Sequence, residues 1–268
     1  MHIFFFLLFV IPLATAQELS VSSGAVPVGD GYDYLVTNNE PVPVSVKLDL
    51  ELKNLKADVN SKQIFIVPPF AQEYKILELR MVKRDSYGYN ASASYALGDQ
   101  RTPSYDQQFK YHLPYARNAS WRVSQGYNGN STHRGKFAID FTMPVGTPVH
   151  AARGGTVIQV TQENSIGCAA PKCLEYANYI KIIHDDGSIA EYTHLQVNGA
   201  VVKKGDRVGI DQHIGYSGNT GWTTGPHLHF TVYVPRFGRS SVTVPVTFVV
   251  ENSLLADALL ENRRYRKP

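Results

Sequence analysis

The chain has 268 residues and a formal net charge of +3 at pH 7, and 43% of its residues are hydrophobic. After a short apolar start, about 250 residues remain, which is more than one typical domain needs, so the length permits two domains. No later segment is apolar enough to cross a membrane as a helix.

The start of the chain predicts export. Residues 3–11 are all apolar, and residues 14–16 form the small-x-small pattern Ala-Thr-Ala before Gln17. The apolar run is too short to span a bilayer, so it predicts a cleaved secretory signal peptide over residues 1–16. An uncleaved anchor is the alternative, because Met1-His2 carries no Lys or Arg. We expect no stable membrane insertion once the signal is removed.

Short strand-like runs dominate the first half of the chain. Residues 45–52 alternate between polar and apolar side chains, and residues 64–67 and 77–81 are further strand candidates. These runs predict an N-terminal β-sandwich over residues 17–105. Its sequence contains no metal-like cluster and no nucleophile motif. Its expected role is to position or partly cover a site elsewhere, or to serve as a folding partner.

The charge changes sign between the two halves. Residues 17–107 hold 9 Lys and Arg against 12 Asp and Glu, a net charge of −3, whereas residues 108–268 hold 17 against 11, a net charge of +6. A basic half suits an anionic polymer, because long-range attraction speeds the encounter. Residues 251–268 are expected to form a C-terminal tail, and its basic end, residues 263–267, is expected to be solvated and disordered rather than a site.

Two histidines stand one residue apart in a strand-like segment. The run Gly-Pro-His-Leu-His-Phe at residues 225–230 leads into the β-rich residues 231–234. In a strand, side chains at i and i+2 point to the same face, so the imidazoles of His227 and His229 project together. Two ordinary surface histidines on an amphipathic strand are the alternative interpretation.

Three further candidates strengthen the functional interpretation. Asp140 lies in residues 137–142, where an apolar face alternates with a face that carries one carboxylate. His133 precedes this strand by a glycine-containing turn, and His194 shares one face of a third predicted strand with Tyr192. Two histidines and a carboxylate suit hydrolytic zinc, and they also fit the facial triad of non-haem iron oxygenases. The two spare histidines favour hydrolysis, which needs acid–base groups beside the metal.

A family resemblance covers roughly residues 120–250, and several motifs carry it in order. They are His133…Asp140, Tyr-Thr-His-Leu at residues 192–195, Thr-Gly-Pro-His-Leu-His-Phe at residues 224–230, and the stretches 143–149, 151–157 and 214–221. In these motifs the chain resembles the lysostaphin/LytM-type zinc endopeptidases, which cut peptidoglycan peptides. His133 and Asp140 are farther apart here than in the commonest form of that family.

The resemblance implies an all-β protein whose antiparallel β-sheet, LytM-type peptidase domain spans residues 106–250 and binds zinc. The implied metal ligands are His133, Asp140 and His229, which leave one position for water. The implied catalytic residues are His194 and His227. One of them takes the proton of the water and passes it to the leaving amine, and the other stabilises the oxyanion; the two roles are interchangeable on the sequence.

Other polar residues of this domain are weaker candidates. Asn178 matches a motif position and either orients substrate or braces its loop. Tyr192 either hydrogen-bonds substrate or packs as an aromatic residue. His184 opens the hairpin signal His-Asp-Asp-Gly and is expected to be a solvated turn residue. His150 and His213 match no ligand position and are expected to be structural or exposed.

The two cysteines agree with export. Cys168 and Cys173 flank a turn-compatible stretch between two predicted strands. In an oxidising compartment they are expected to form a local disulfide. Zinc ligation by the thiols is the rival interpretation, but two further ligands are missing nearby.

Three functions are compatible with these residues. The favoured one is an exported bacterial zinc endopeptidase, periplasmic or secreted, that hydrolyses peptide cross-links of peptidoglycan; D-Ala–diaminopimelate and polyglycine cross-links both remain open. The second is a non-catalytic LytM-type module that activates cell-wall amidases, although all five site positions are filled. The third is an iron oxygenase, which usually shows His-x-Asp. Nucleic acid is a poor partner, because neither export nor the metal constellation points to it.

Overall fold

The computed structural model describes residues 19–237, 241–251, 254–256 and 258–268. The predicted signal peptide, residues 1–16, lies outside these ranges. The described residues are almost all strands and loops, apart from the short 3-10 helix Pro171–Tyr176, and none of their helices has the length and hydropathy to cross a membrane. The all-β prediction is confirmed.

Two small sheets form an N-terminal sandwich. Its strands are β1 (Val21–Val28), β2 (Gly31–Asn38), β3 (Val44–Lys53), β4 (Leu55–Ala57), β5 (Ile64–Val67), β6 (Tyr74–Met81) and β7 (Gly88–Leu97). One sheet has the order β1-β2-β6-β4 and the other β5-β3-β7. Apolar side chains from both sheets, such as Val36, Val46 and Leu79, are fully buried in one cluster. The alternation that predicted the sandwich therefore produces its core.

The second half is built around a larger sheet. Its strands are β8 (Lys110–His112), β9 (Ser120–Gln125), β10 (Ala138–Thr142), β11 (Pro148–His150), β12 (Gly155–Thr161), β13 (Gly167–Cys168), β14 (Tyr179–Ile183), β15 (Ile189–Thr193), β16 (Leu195–Ala200), β17 (Arg207–Val208), β18 (His213–Ser217), β19 (Gly221–Trp222), β20 (Leu228–Val234), β21 (Val242–Thr243), β22 (Thr247–Val250), β23 (Leu254–Ala256) and β24 (Arg264–Arg266). The main sheet has the order β17-β12-β14-β15-β20-β10-β9-β24, and β21 also pairs with β20. Its strand pairs are antiparallel.

The two faces of the main sheet serve different purposes. Leu228, Phe230 and Val232 of β20 are buried in the core of this half. Because side chains alternate along a strand, His229 and Tyr233 point to the opposite face. The core face thus anchors the sheet, and the other face is left for the polar residues of the site.

The sandwich packs on that polar face. Ile158, Ile183 and Ile189 of the main sheet are buried in the apolar cluster of the sandwich, and Tyr233 packs against it. Tyr233 lies four residues beyond His229 in β20, which is about 13 Å along the strand. The sandwich therefore borders the part of the sheet face that carries the histidines.

The end of the chain and one histidine differ from expectation. β24 pairs with β9, and the side chain of Lys267 is buried, with its Nζ bonded to Asp211 Oδ1. The expectation of a disordered tail is therefore wrong for these last residues, because an edge strand and an ion pair hold them. His184 is 3% exposed rather than solvated, and its Nδ1 donates to the Gly154 carbonyl at 2.8 Å.

Candidate metal centre

The register of two neighbouring strands creates the first half of the site. Asp140 of β10 lies directly opposite His229 of β20. The Oδ1 atom of Asp140 is 2.9 Å from Nδ1 of His229. Both strands turn their apolar neighbours towards the core, so the carboxylate and the imidazole share the polar face of the sheet.

His133 joins them from the loop before β10. Its side chain is buried, and its Nδ1 donates to the Gly126 carbonyl at 3.0 Å. This bond places the proton on Nδ1 and leaves a lone pair on Nε2. That Nε2 lies 3.2 Å from Nδ1 of His229 and 3.3 Å from Oδ1 of Asp140. The longer spacing between His133 and Asp140 therefore still brings the two side chains together.

The three predicted ligands form a possible metal-binding group. Their ligand atoms all lie within 4.8 Å of one another. Nε2 of His133 carries no proton. The one proton on Nδ1 of His229 can form a hydrogen bond with Asp140 or with His133, but not a good one with both. A cation placed among the three atoms would satisfy all of them, so the donor set fits a metal.

Gln125 at the end of β9 supports the carboxylate, and the sequence pattern did not single it out. Its Nε2 donates to Oδ2 of Asp140 at 3.0 Å and to Oγ1 of Thr132 at 2.8 Å. Its Oε1 accepts from the backbone N–H groups of Ser131 and Thr132. It thereby ties the ligand Asp140 to the loop that leads to His133. A glutamine at a strand end has no distinctive local signal, so only the folded contacts reveal it.

Asp140 is held in its ionised form. Burial opposes ionisation, but the close imidazoles of His133 and His229, with the charges of His229 and His227, outweigh it. The pKa of Asp140 therefore lies well below its usual range. An ionised carboxylate is the form that binds metal.

His227 stands at the edge of the ligand set. Its Nδ1 donates to the Gly225 carbonyl at 2.8 Å. Its Nε2, which is thereby left as an acceptor, is 3.7 Å from Oδ1 of Asp140. The ring centroids of His227 and His194 are 4.5 Å apart. The structure thus brings the fourth and fifth predicted residues to the same place.

His194 reaches the site through a break in the strand. β15 ends at Thr193, and His194 has φ of 66°. Its Nδ1 donates to the Thr220 carbonyl at 2.7 Å. Burial, followed by the charges of His227 and His229, lowers the pKa of His194 to about 3, so the ring is neutral near pH 7. The expectation that His194 and Tyr192 share a face is wrong, because this left-handed residue interrupts the alternation.

The two weaker substrate candidates do not line the site. Tyr192 is fully buried in the core, and its hydroxyl accepts from the Ala152 N–H at 2.8 Å. Asn178 is also fully buried, and its Nδ2 donates to the Asn164 carbonyl at 2.8 Å. These contacts favour the packing alternative for Tyr192 and the loop-bracing alternative for Asn178.

The predicted disulfide between Cys168 and Cys173 is present, with the two Cα atoms 5.9 Å apart. The 3-10 helix Pro171–Tyr176 contains Cys173. Both sulfur atoms are consumed by the bond, so neither thiol is free to bind metal.

Comparison with known proteins finds a family that the segment around this site resembles. Residues 132–242 match the model of peptidase family M23. The chain is 29% identical over 212 residues to an uncharacterised metalloprotease of Buchnera aphidicola, covering 74% of this chain and 52% of that protein. It is 34% identical over 126 residues to the peptidoglycan DD-endopeptidase ShyA of Vibrio cholerae, covering 45% of this chain and 26% of that protein. The chain thus spans about a quarter to a half of the length of these relatives.

Among solved structures, the catalytic domain of the antimicrobial peptidase lysostaphin from Staphylococcus simulans is 33% identical, with a TM-score of 0.33. The match covers 44% of this chain and 80% of that one. Residues 132–242, which match the model of peptidase family M23, contain all five residues that meet on the polar sheet face. In this segment the chain is similar to peptidase family M23.

Proposed function

We propose that this protein is an exported zinc metalloendopeptidase that hydrolyses peptide cross-links of bacterial peptidoglycan. The observation that carries the proposal is the convergence of His133, Asp140 and His229 beside the pair His194 and His227. A similar relative, ShyA, is named a peptidoglycan DD-endopeptidase. The predicted signal peptide and the disulfide support an oxidising location, in the periplasm or outside the cell.

The spacing of the three ligands supports zinc. Nitrogen and oxygen ligands at roughly 2.0–2.1 Å from a tetrahedral ion lie about 3.3 Å from one another. The separations here are 2.9, 3.2 and 3.3 Å. His133, Asp140 and His229 would hold the ion; the hydrogen bond from His133 to the Gly126 carbonyl and the one from Gln125 to Asp140 would orient the ligands. When bound, zinc supplies the Lewis acidity that makes water a nucleophile near neutral pH.

The chain's own contribution to chemistry is proton transfer. His194 and His227 both use Nδ1–H on a carbonyl, so both present Nε2 as a proton acceptor. Either ring takes a proton from the attacking water at Nε2. The same N–H then becomes a donor to the tetrahedral oxyanion and to the leaving amine. Burial lowers the pKa of His194 to about 3, which favours His227 as the ring that takes the proton.

The surrounding sheet suggests where a peptide chain lies. The polar face between the histidines and the sandwich carries the pair Lys181 and Glu191, which are 3.7 Å apart at Nζ and Oε2. The sandwich borders this face through the apolar contacts around Ile189. An extended peptide would run along the open part of the face beside this border. We propose that residues 17–105 act as this bordering domain.

Digestion of defined cross-linked muropeptides by the purified protein tests the proposal. We expect conversion of cross-linked dimers to monomers by mass spectrometry, loss of cleavage with a chelator, and recovery with zinc. D-Ala–diaminopimelate and pentaglycine cross-links tested side by side identify the bond. If the protein alone cleaves neither, but stimulates an added amidase, the non-catalytic alternative is correct.

A further inference from the structure

One short segment holds both acid–base histidines. We call residues 219–225 the support segment. Its Thr220 carbonyl accepts from Nδ1 of His194 at 2.7 Å, and its Gly225 carbonyl accepts from Nδ1 of His227 at 2.8 Å. The hydrogen bond at one ring nitrogen decides which nitrogen carries the proton. The support segment therefore sets the tautomer and the orientation of both rings.

The side chain of Thr223 links the two ends of the support segment by hydrogen bonds. This side chain is 5% exposed. Its Oγ1 lies 2.8 Å from both Asn219 Oδ1 and the Gly225 carbonyl, accepts from the Gly225 N–H at 3.2 Å, and lies 3.3 Å from Nδ1 of His227. A single buried hydroxyl thus connects the two ends of the segment with one of the histidines.

The loop that contains the disulfide holds the support segment from outside. We call residues 163–178 the disulfide loop. The Ile166 carbonyl accepts from the Gly221 N–H at 2.8 Å, and the Cys168 carbonyl accepts from the Thr223 N–H at 2.9 Å. These bonds belong to the parallel pairing of β13 with β19. The disulfide from Cys168 to Cys173 closes the loop next to this pairing.

Close backbone packing makes the contact specific. Gly221 has φ of 82°, and a Cβ added there would lie 2.7 Å from Cα of Ala177. A Cβ added at Gly167 would lie 1.9 Å from the Asn219 carbonyl oxygen. At the far end of the loop, the Asn178 N–H donates to Oγ1 of Thr220 at 3.0 Å. The disulfide loop therefore contacts the support segment along its length.

We propose that the disulfide loop is a positioning element for His194 and His227. By closing the loop, the Cys168–Cys173 bond keeps the carbonyls of Thr220 and Gly225 in place, and these keep Nε2 of each ring directed at the reacting position. The inference rests on the proposed function, in which these rings transfer the proton.

The metal ligands are held by other contacts. Asp140 and His229 are held by the pairing of β10 with β20, and His133 by the Gly126 carbonyl. Loss of the disulfide should therefore lower the rate of hydrolysis and leave metal binding unchanged.

The central test is the double variant Cys168→Ala/Cys173→Ala in the full mature chain. We expect it to retain one zinc per chain and to show a kcat that is roughly 10–100-fold lower, the range typical of residues that orient other active groups. KM should stay close to the parent value. A parent-like kcat, or loss of zinc, would overturn the proposal.

A spectroscopic readout separates this proposal from the proposed function. In ¹⁵N NMR spectra of the zinc-loaded parent, both rings should show the Nδ1–H tautomer. The double variant should show mixed tautomers for His194 and His227. If the parent cleaves no peptidoglycan, the proposed function fails, but the tautomer measurement still decides whether the loop positions the rings.

Single-residue variants provide the controls. Leu174→Ala changes a residue of the loop that is 57% exposed and keeps the disulfide, so its kcat should match the parent. Thr223→Val should lower kcat because it removes Oγ1, whereas Thr223→Ser should restore the rate. If the double variant does not fold, the Thr223 pair tests the same connection. Equal kcat values for the Val and Ser variants would contradict it.

Discussion

Asp140 and His229 face each other across the ladder of β10 and β20, with Oδ1 2.9 Å from Nδ1. Because the side-chain period of a strand is two, a register shift of one residue would move one partner to the core face. The buried neighbours Ile139 and Phe230 oppose such a shift, since it would expose them. The apolar core therefore determines where these two proposed metal ligands meet.

Replacing Asp140 by Ala should abolish tight zinc binding. The substitution removes one of three converging ligands and the only carboxylate among them. Elemental analysis of the purified variant should find far less than one zinc per chain, while circular dichroism still reports the β-sandwich. Stoichiometric zinc in this variant would refute the ligand assignment.

Replacing Gln125 by Ala should weaken zinc binding without removing a ligand. Its amide orients Oδ2 of Asp140 from 3.0 Å. Loss of such an outer contact typically lowers metal affinity by about 10–100-fold. Competition with a chromogenic chelator measures the effect, and an unchanged affinity would show that Gln125 only braces the loop.

His194→Ala and His227→Ala should keep zinc and lose most hydrolysis. Acid–base groups typically contribute 10²–10⁴-fold, or roughly 3–5 kcal/mol of barrier. Single-turnover assays on a soluble cross-linked peptide, with zinc content measured in parallel, separate these variants from the ligand variants. A parent-like rate in either variant would leave that histidine with a structural role alone.

His184 should make the stability depend on pH. Burial lowers its pKa to about 4; the Gly154 hydrogen bond opposes this shift, Arg153 adds to it, and Asp186 and Asp185 oppose it. Since the folded state disfavours the charged ring, its stabilising contribution is complete above pH 6.5 and is lost as the pH falls towards 4. The shift corresponds to about 3 kcal/mol at most.

The measurement is urea unfolding between pH 7.5 and 4 with a chelator present, so that metal release does not contribute. His184→Gln should be less stable near neutral pH but should lack this part of the pH slope. Identical slopes for parent and variant would show that the buried ring does not control stability in this range.

Lys204→Ala should destabilise the contact between the two halves. Lys204 Nζ is 2.7 Å from Oε2 of Glu40, and the Glu40 side chain is fully buried. Removing the lysine leaves a buried carboxylate without its cation, a loss of about 1–3 kcal/mol given that Lys204 itself is half-exposed. Urea unfolding measures this loss.

The neighbouring variant Lys203→Ala is the matched control. Its side chain is 85% exposed and pairs with Asp206, so its effect should stay within about 0.5 kcal/mol. The double variant Lys204→Ala/Glu40→Gln should recover part of the stability. Equal stabilities of the two lysine variants would show that the Glu40 pair does not join the domains.

Local patterns in the sequence were sufficient to predict some of the strands, part of the candidate site and the disulfide. Alternation in residues 45–52 predicted a sandwich strand, and the spacing of His227 and His229 placed two imidazoles together beside Asp140. The close pair Cys168 and Cys173 predicted its own disulfide. Each of these features depends on neighbours a few residues apart, and side-chain alternation is a property of the strand itself.

Only the tertiary structure determined the orientation of His194, the pairing of the last strand and the burial of His184. The positive φ of His194 reverses the face that strand alternation assigns to it, and its ring bonds to the Thr220 carbonyl, 26 residues away. Arg264–Arg266 looked like a charged tail, yet it pairs with β9, more than a hundred residues earlier. His184 is buried, with its ring centroid 5.7 Å from that of Tyr111 in β8 and its Nδ1 bonded to the Gly154 carbonyl. Long-range hydrogen bonds and packing carry no periodic signature, so only the assembled sheet determines which of these polar residues are solvated, structural or part of the site.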